Sequence, residues 1–210
     1  MVSKQEGKLN AKQRLLQHTL QKQLSMLKLQ EVLILSSFVI GGVLGRTLMQ
    51  SLPSVEPITF FAILAGTLFG KKKGAFIGGL TWWLSNFFMF GGQGPWSAIH
   101  VLAGLVAGFL GGFLEKKAGY AKTILIFIIA TLFFELTMNI SSGFFFGFGI
   151  MLSFLTAIPL IIVHLLSNIF FSLFIPSTKK LIEEKGMLNE KELYKTMLKR
   201  LQFWKPKDEN

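Results

Sequence analysis

Two long stretches of this chain carry no formal charge. Neither Gly74 to Leu114 nor Leu136 to Thr178 contains a Lys, Arg, Asp or Glu. A helix on a soluble core turns one face to water and fills it with polar and charged groups, so a soluble core has no use for such runs. A bilayer does: each helical span needs roughly 20 predominantly apolar residues. A hydrophobic content of 51% would suit many soluble domains, so the clustering carries the inference rather than the total. The chain reads as an all-α integral membrane protein. It has no cysteine, which removes disulfides and thiolate metal sites. Its first thirty residues are polar and basic, without the apolar segment or cleavage site of a secretory signal.

Apolar runs bounded by charge or by Gly and Pro mark six spans: Val32–Gln50, Ile58–Gly70, Gly74–Phe90, Ser97–Leu114, Thr123–Ile140 and Ile150–Ile175. The second is short for a bilayer. The basic residues then set an orientation. Lys4, Lys8, Lys12, Arg14, Lys22 and Lys28 precede the first span. Lys71, Lys72 and Lys73 follow the second, and Lys116, Lys117 and Lys122 follow the fourth. Nine more lie between Lys179 and Lys207, and the remaining connections have none. This alternation predicts a six-helix bundle with both termini cytoplasmic. It also accounts for the formal net charge of +11 without invoking nucleic acid. Three regions follow: a basic amphipathic tail (1–31), a transmembrane substrate-binding domain (32–176) and a second basic tail, expected to be helical (177–210). Leu16, Leu20, Leu24 and Leu27 in one tail, and Leu193, Met197, Leu198 and Leu201 in the other, recur at helical spacing. Such helices lie on an anionic membrane surface or pack on the cytoplasmic end of the bundle.

Counting about 1.5 Å per residue from the charge boundaries gives depths. Arg46, Asn86, Glu135 and His164 fall roughly 20–22 Å from the inner face of a core about 30 Å thick. Asn139 is one helical turn beyond Glu135, Asn168 one turn from His164, His100 near the outer end of the fourth span and Glu56 in the first outer loop. Buried ionisable groups are costly in a membrane and usually face the bundle interior. A structural network, with Arg46 paired to Glu135 or Glu56 and Asn side chains as interhelical glue, explains any one of them. Six segments converging on one outer level point instead to a binding cavity.

The uncharged loop GGQGPWSAIH (Gly91–His100) adds Gln93 and Trp96. A flat ligand could stack on Trp96 while Gln93 bonds its edge, with Pro95 stiffening the turn. Trp96 as an interfacial belt residue is the plainer alternative. Small residues recur every four positions at Ser37, Gly41 and Gly45, and at Gly104, Gly108 and Gly112. They serve close packing within the bundle or a face for a membrane partner.

Four segments together resemble the substrate-binding S components of energy-coupling-factor (ECF) transporters, prokaryotic vitamin importers. GRTLMQSLPSVEP (Gly45–Pro57) is similar to the end of their first helix and first outer loop. LAGTLFGKKKGAFIGG is similar to their basic turn between helices two and three. SNFFMFGGQGPWS (Ser85–Ser97) resembles their Asn followed by Gly-x-Gly-Pro-Trp, and AIPLIIVHLLSNIFFSLFIP (Ala157–Pro176) their last helix. The resemblance covers about Ser36 to Lys180. Many members continue Gly-Pro-Trp with Thr-Pro-Trp-Gln, where this chain has Ser97-Ala98-Ile99-His100; the substrate stays open.

The resemblance implies capture of a vitamin-like small molecule in an outward pocket. Delivery would use a transmembrane coupling subunit and two ATPase subunits. Arg46, Glu56, Asn86, Gln93, Trp96, His100, Glu135, Asn139, His164 and Asn168 are the candidate ligand contacts, and Ser37, Gly41 and Gly45 the candidate docking face. The chain itself would be non-catalytic and hold no cofactor or metal. It has no G-x-x-x-x-G-K-[ST] phosphate loop, so ATP would belong to the partners. The alternatives are a stand-alone carrier, which needs a polar path through both leaflets, and a structural or sensory membrane protein. An intramembrane enzyme would have only Glu135, His100 and His164 as acid–base groups, with no nucleophile beside them.

Overall fold

The computed structural model describes residues 11–114, 119–147, 149–184, 197 and 199. Seven α-helices run through them: α1 (Ala11–Met49), α2 (Ile58–Phe69), α3 (Lys71–Ser85), α4 (Trp96–Gly111), α5 (Tyr120–Phe145), α6 (Ile150–Ser172) and α7 (Ile175–Glu184). A 3-10 turn, Asn86–Phe88, ends α3, and no strand occurs among the described residues. The chain divides into two compact units. One is Leu35–Lys180; the other joins the segment up to Ile34 with that from Leu181.

All six predicted spans are helical, with shifted ends. α1 runs unbroken from the basic tail into the first span, so no loop separates Leu16–Leu27 from Val32. Within that stretch Leu20 and Leu27 are buried while Leu16 is exposed. Of the C-terminal leucines, Leu193, Leu198 and Leu201 lie outside the described residues, and Met197 is exposed. The lysines of the second connection form the first turn of α3 instead of a loop. That shift depends on Gly70, whose φ of 88° reverses the chain in a single residue between α2 and α3. Lys116 and Lys117 lie outside the described residues.

Length sorts the helices into two kinds. Three apolar segments are long enough to cross a membrane: Arg14–Met49, Tyr120–Phe145 and Ile150–Glu183, the last taking in α6 and α7. α2, α3 and α4 have 12, 15 and 16 residues, so about 18–24 Å each. The three short helices pack on one another, α4 packs on α5, and α5 on α6.

Glycine sets the closeness of the short trio. A Cβ on Gly74 would meet Gly66 of α2 and the Gly108 carbonyl of α4, and one on Gly78 would meet the Gly104 carbonyl. Backbone therefore lies on backbone, a contact any side chain would hold apart. The stripe Gly104–Gly108–Gly112 is used up inside the bundle in this way. Gly41 and Gly45 of α1 behave alike: a Cβ there would meet the Phe61 ring and Pro57. Of the expected docking stripe only Ser37 is exposed. Alongside that stripe the exposed large apolar residues are Ile40, Leu44 and Leu48.

Candidate binding site

The site begins where α3 ends. Trp82, Ser85 and Asn86 share one face of that helix, being spaced three and four apart. All three are buried, Asn86 to 1% exposure. Arg46, four residues from the end of α1, reaches them. Its Nη1 donates to Ser85 Oγ at 2.7 Å and to Asn86 Oδ1 at 2.6 Å, and its guanidinium carbon stands 4.3 Å over the Trp82 ring. Arginine has only donors, so this bond fixes which end of the Asn86 amide is oxygen. The same oxygen lies 3.2 Å from His100 Nδ1, which therefore carries a proton toward it. The amide nitrogen, Asn86 Nδ2, is buried with no partner.

Aromatic rings continue the wall. His100 packs against Trp82 with centroids 4.5 Å apart and stacks on Phe134 of α5 at 5.7 Å. Phe134 also stacks on Trp82 and presents its edge to His164 of α6. Phe134 thereby joins the two halves of the site.

The second half is a carboxylate–imidazole–carboxylate row. His164, 2% exposed, places Nδ1 2.6 Å from Glu135 Oε1 and Nε2 3.3 Å from Glu56 Oε1. The ring can donate to both only as an imidazolium. Glu56 is held further by the Ile58 backbone N–H at 2.7 Å and the Thr59 hydroxyl at 2.9 Å. Both donors belong to the first turn of α2, where the helix dipole also favours a negative charge. Glu135 accepts in addition from Asn139 Nδ2 at 3.2 Å, and that amide bonds the Glu135 carbonyl as well. The expected pairing of Arg46 with Glu56 or Glu135 does not form: the arginine bonds neutral groups and the carboxylates bond the histidine.

Between the halves lies a cavity of about 170 Å³. Arg46, Trp82, His100, Phe134, Glu56 and His164 line it, and Gln50, Leu52, Pro53, Ser54, Val55 and Met89 complete it. Most of this second group is the α1–α2 connection, which lies over the cavity and is tied to α6 where Ser167 Oγ donates to the Ser54 carbonyl at 3.3 Å. Among the described residues no group of three His, Asp or Glu stands in a metal-binding arrangement.

A family model matches residues 27–189 of this chain. The chain belongs to the DUF6580 family, a family of unknown function. No curated protein and no solved structure gives a significant match. The DUF6580 segment holds every residue of the site described above.

Of the ten expected ligand contacts in this DUF6580 chain, Arg46, Glu56, His100 and His164 line the cavity, while Asn86 holds Arg46 and His100, Glu135 holds His164, and Asn139 supports Glu135. Three lie elsewhere. Gln93 is exposed and its Nε2 bonds the Trp83 carbonyl at 2.8 Å. Trp96 stacks on Phe146, and its ring fills the space beside Gly94. The loop Gly91–Ser97 is thus held by α3, by Phe146 and by its own Gly94 N–H to Ser97 Oγ bond, away from the cavity. Asn168 donates to Thr131 Oγ1 at 2.8 Å and ties α6 to α5. Trp82, Ser85 and Phe134 were not among the expected contacts. The position of Trp82 four residues before Asn86 was a usable signal for it; nothing in the sequence around Phe134 marks that ring out from the other phenylalanines.

Proposed function

We propose that this chain is the substrate-capture subunit of a prokaryotic ECF-type importer. On this reading it is a multi-pass cell-membrane protein with six transmembrane helices and both termini in the cytoplasm. It binds one vitamin-like small molecule on the outer side and delivers it with a transmembrane coupling subunit and two ATPase subunits. The supporting observation is the cavity itself. Ionisable and aromatic side chains from α1, α3, α4, α5 and α6 converge on it, under the connection that carries Glu56. Such polar convergence inside apolar helices is what a solute-binding site in a membrane requires. The short trio fits a bundle that is thin on one side, and the charge alternation supplies the orientation. The resemblance of four separate segments to S components supplies the importer context.

Native mass spectrometry of the gently solubilised protein, expressed with its genomic neighbours, tests this reading. A bound small-molecule mass together with a co-purifying coupling subunit is the expected result. A protein that is empty and solitary, yet exchanges labelled solute across vesicles lacking any ATPase, would replace it with a stand-alone carrier.

A further inference from the structure

The two halves of the cavity differ in how well their charges are satisfied. Glu56 accepts from a backbone N–H, a hydroxyl and an imidazole nitrogen. Glu135 accepts from the other imidazole nitrogen and from Asn139. Both carboxylates thus have an imidazole nitrogen and further donors within reach. Arg46 has nothing equivalent. One nitrogen, Nη1, serves two neutral acceptors, and Nη2 and Nε make no hydrogen bond to the protein among the described residues. Guanidinium is the group most suited to bidentate capture of a carboxylate. Arg46 hydrogen-bonds no anion, Glu56 across the cavity being engaged by other donors, so its remaining N–H groups are available for one.

The rest of the cavity limits what else the anion carries. Trp82, His100 and Phe134 present ring surface, with the guanidinium itself over Trp82. The volume of about 170 Å³ is close to the roughly 150 Å³ that accommodates a benzene molecule. From these observations we infer that the site selects a single-ring aromatic or heteroaromatic carboxylate, its carboxylate on Arg46 and its ring against the aromatic wall. This inference rests on the capture reading and narrows it to a substrate class.

Three single-ring probes of differing charge test it on the full chain in detergent: benzoate, benzamide and benzylamine, each titrated against thermal unfolding and tryptophan fluorescence. Benzoate should bind roughly 5- to 10-fold more tightly than benzamide, the difference between one charge-assisted hydrogen bond and a neutral one. Benzylamine should be weakest. Arg46→Gln should abolish the preference for benzoate over benzamide, and Arg46→Lys should restore part of it. If Arg46→Gln does not fold, the order of the three probes on the unaltered protein decides. Benzamide or benzylamine binding as well as benzoate would overturn the anion assignment while leaving small-molecule capture standing. Failure of all three to bind would overturn the single-ring assignment; the capture reading is then judged separately, by whether a native mass and a coupling subunit co-purify.

Discussion

Replacing His164 by Ala should destabilise the protein sharply, and the structure says which carboxylate suffers. The imidazole stands between Glu135 and Glu56, and all three side chains are buried. Breaking a buried charged pair by removing one partner costs about 3–5 kcal/mol, because the other charge stays behind without compensation. The loss is unequal. Glu135 loses the shorter of its two side-chain donors, at 2.6 Å, and keeps only Asn139 at 3.2 Å. Glu56 loses the longest of three, at 3.3 Å, and keeps Ile58 N–H and the Thr59 hydroxyl. Most of the penalty therefore belongs to Glu135. Adding Glu135→Gln to His164→Ala should recover more than half of the lost stability, whereas adding Glu56→Gln should recover little. Unfolding in mixed micelles with increasing dodecyl sulfate, followed by helical circular dichroism, measures these proteins together with the single Glu135→Gln and Glu56→Gln variants, and the six stabilities close both double-mutant cycles. Equal rescue by the two glutamine variants would refute the unequal division. A His164→Ala cost below about 1 kcal/mol would refute the row as a stabilising unit.

Gly78→Ala should destabilise by at least about 1–3 kcal/mol, since the added Cβ would lie 2.7 Å from the Gly104 carbonyl carbon and force α3 from α4. Gly119→Ala is its control: among the described residues nothing lies within 4 Å, and the stiffer unfolded chain is offset by alanine's poorer fit at the N-cap of α5, so a change of less than about 1 kcal/mol is expected in the same unfolding assay. Thr131→Val alone should cost about 1–3 kcal/mol by leaving the Asn168 amide with neither of its ends bonded, while Thr131→Val with Asn168→Leu should come within about 1 kcal/mol of the parent protein. Gln93→Ala should raise chymotrypsin cleavage after the exposed Phe90 roughly fivefold, the effect of about 1 kcal/mol of local loosening once the bond to the Trp83 carbonyl is gone. Unchanged cleavage would mean that the loop is held by Trp96 alone.

Helix positions were legible because charge and apolar blocks are a strong one-dimensional signal, and each of the six runs contains a helix. Their ends were less so. Lys71–Lys73 read as a loop because three consecutive charges usually do, yet a helix tolerates lysine in its first turn and Gly70 alone makes the reversal. The continuity of α1 through residue 31 was also hidden, because composition changes there while helix propensity does not. The glycine stripes were ambiguous in principle. Spacing four marks a face that approaches another backbone, and only the fold tells whether that backbone belongs to the same chain, as it does for Gly104 and Gly108.

The depth count picked out residues that the fold brings together, for a physical reason that also explains which of them stay apart. It places residues along the membrane normal but is blind to rotation about each helix. Arg46, Asn86, His100, Glu135 and His164 converge, because an ionisable or amide group inside an apolar bundle is costly unless it turns toward others of its kind. The same argument cannot sort Asn168, which is polar enough to need a partner but finds it in one threonine on the neighbouring helix. Nor does it reach Gln93 and Trp96, which bond backbone carbonyls of Trp83 and Gly92 and do not line the cavity. Convergence follows from cost, so it was strongest for the formally charged residues. Within that set, hydrogen-bond accounting separates the carboxylates, which are answered by His164, from Arg46, which is not. That remaining imbalance is a property of the assembled site, and no reading of spacing along one dimension could have shown it.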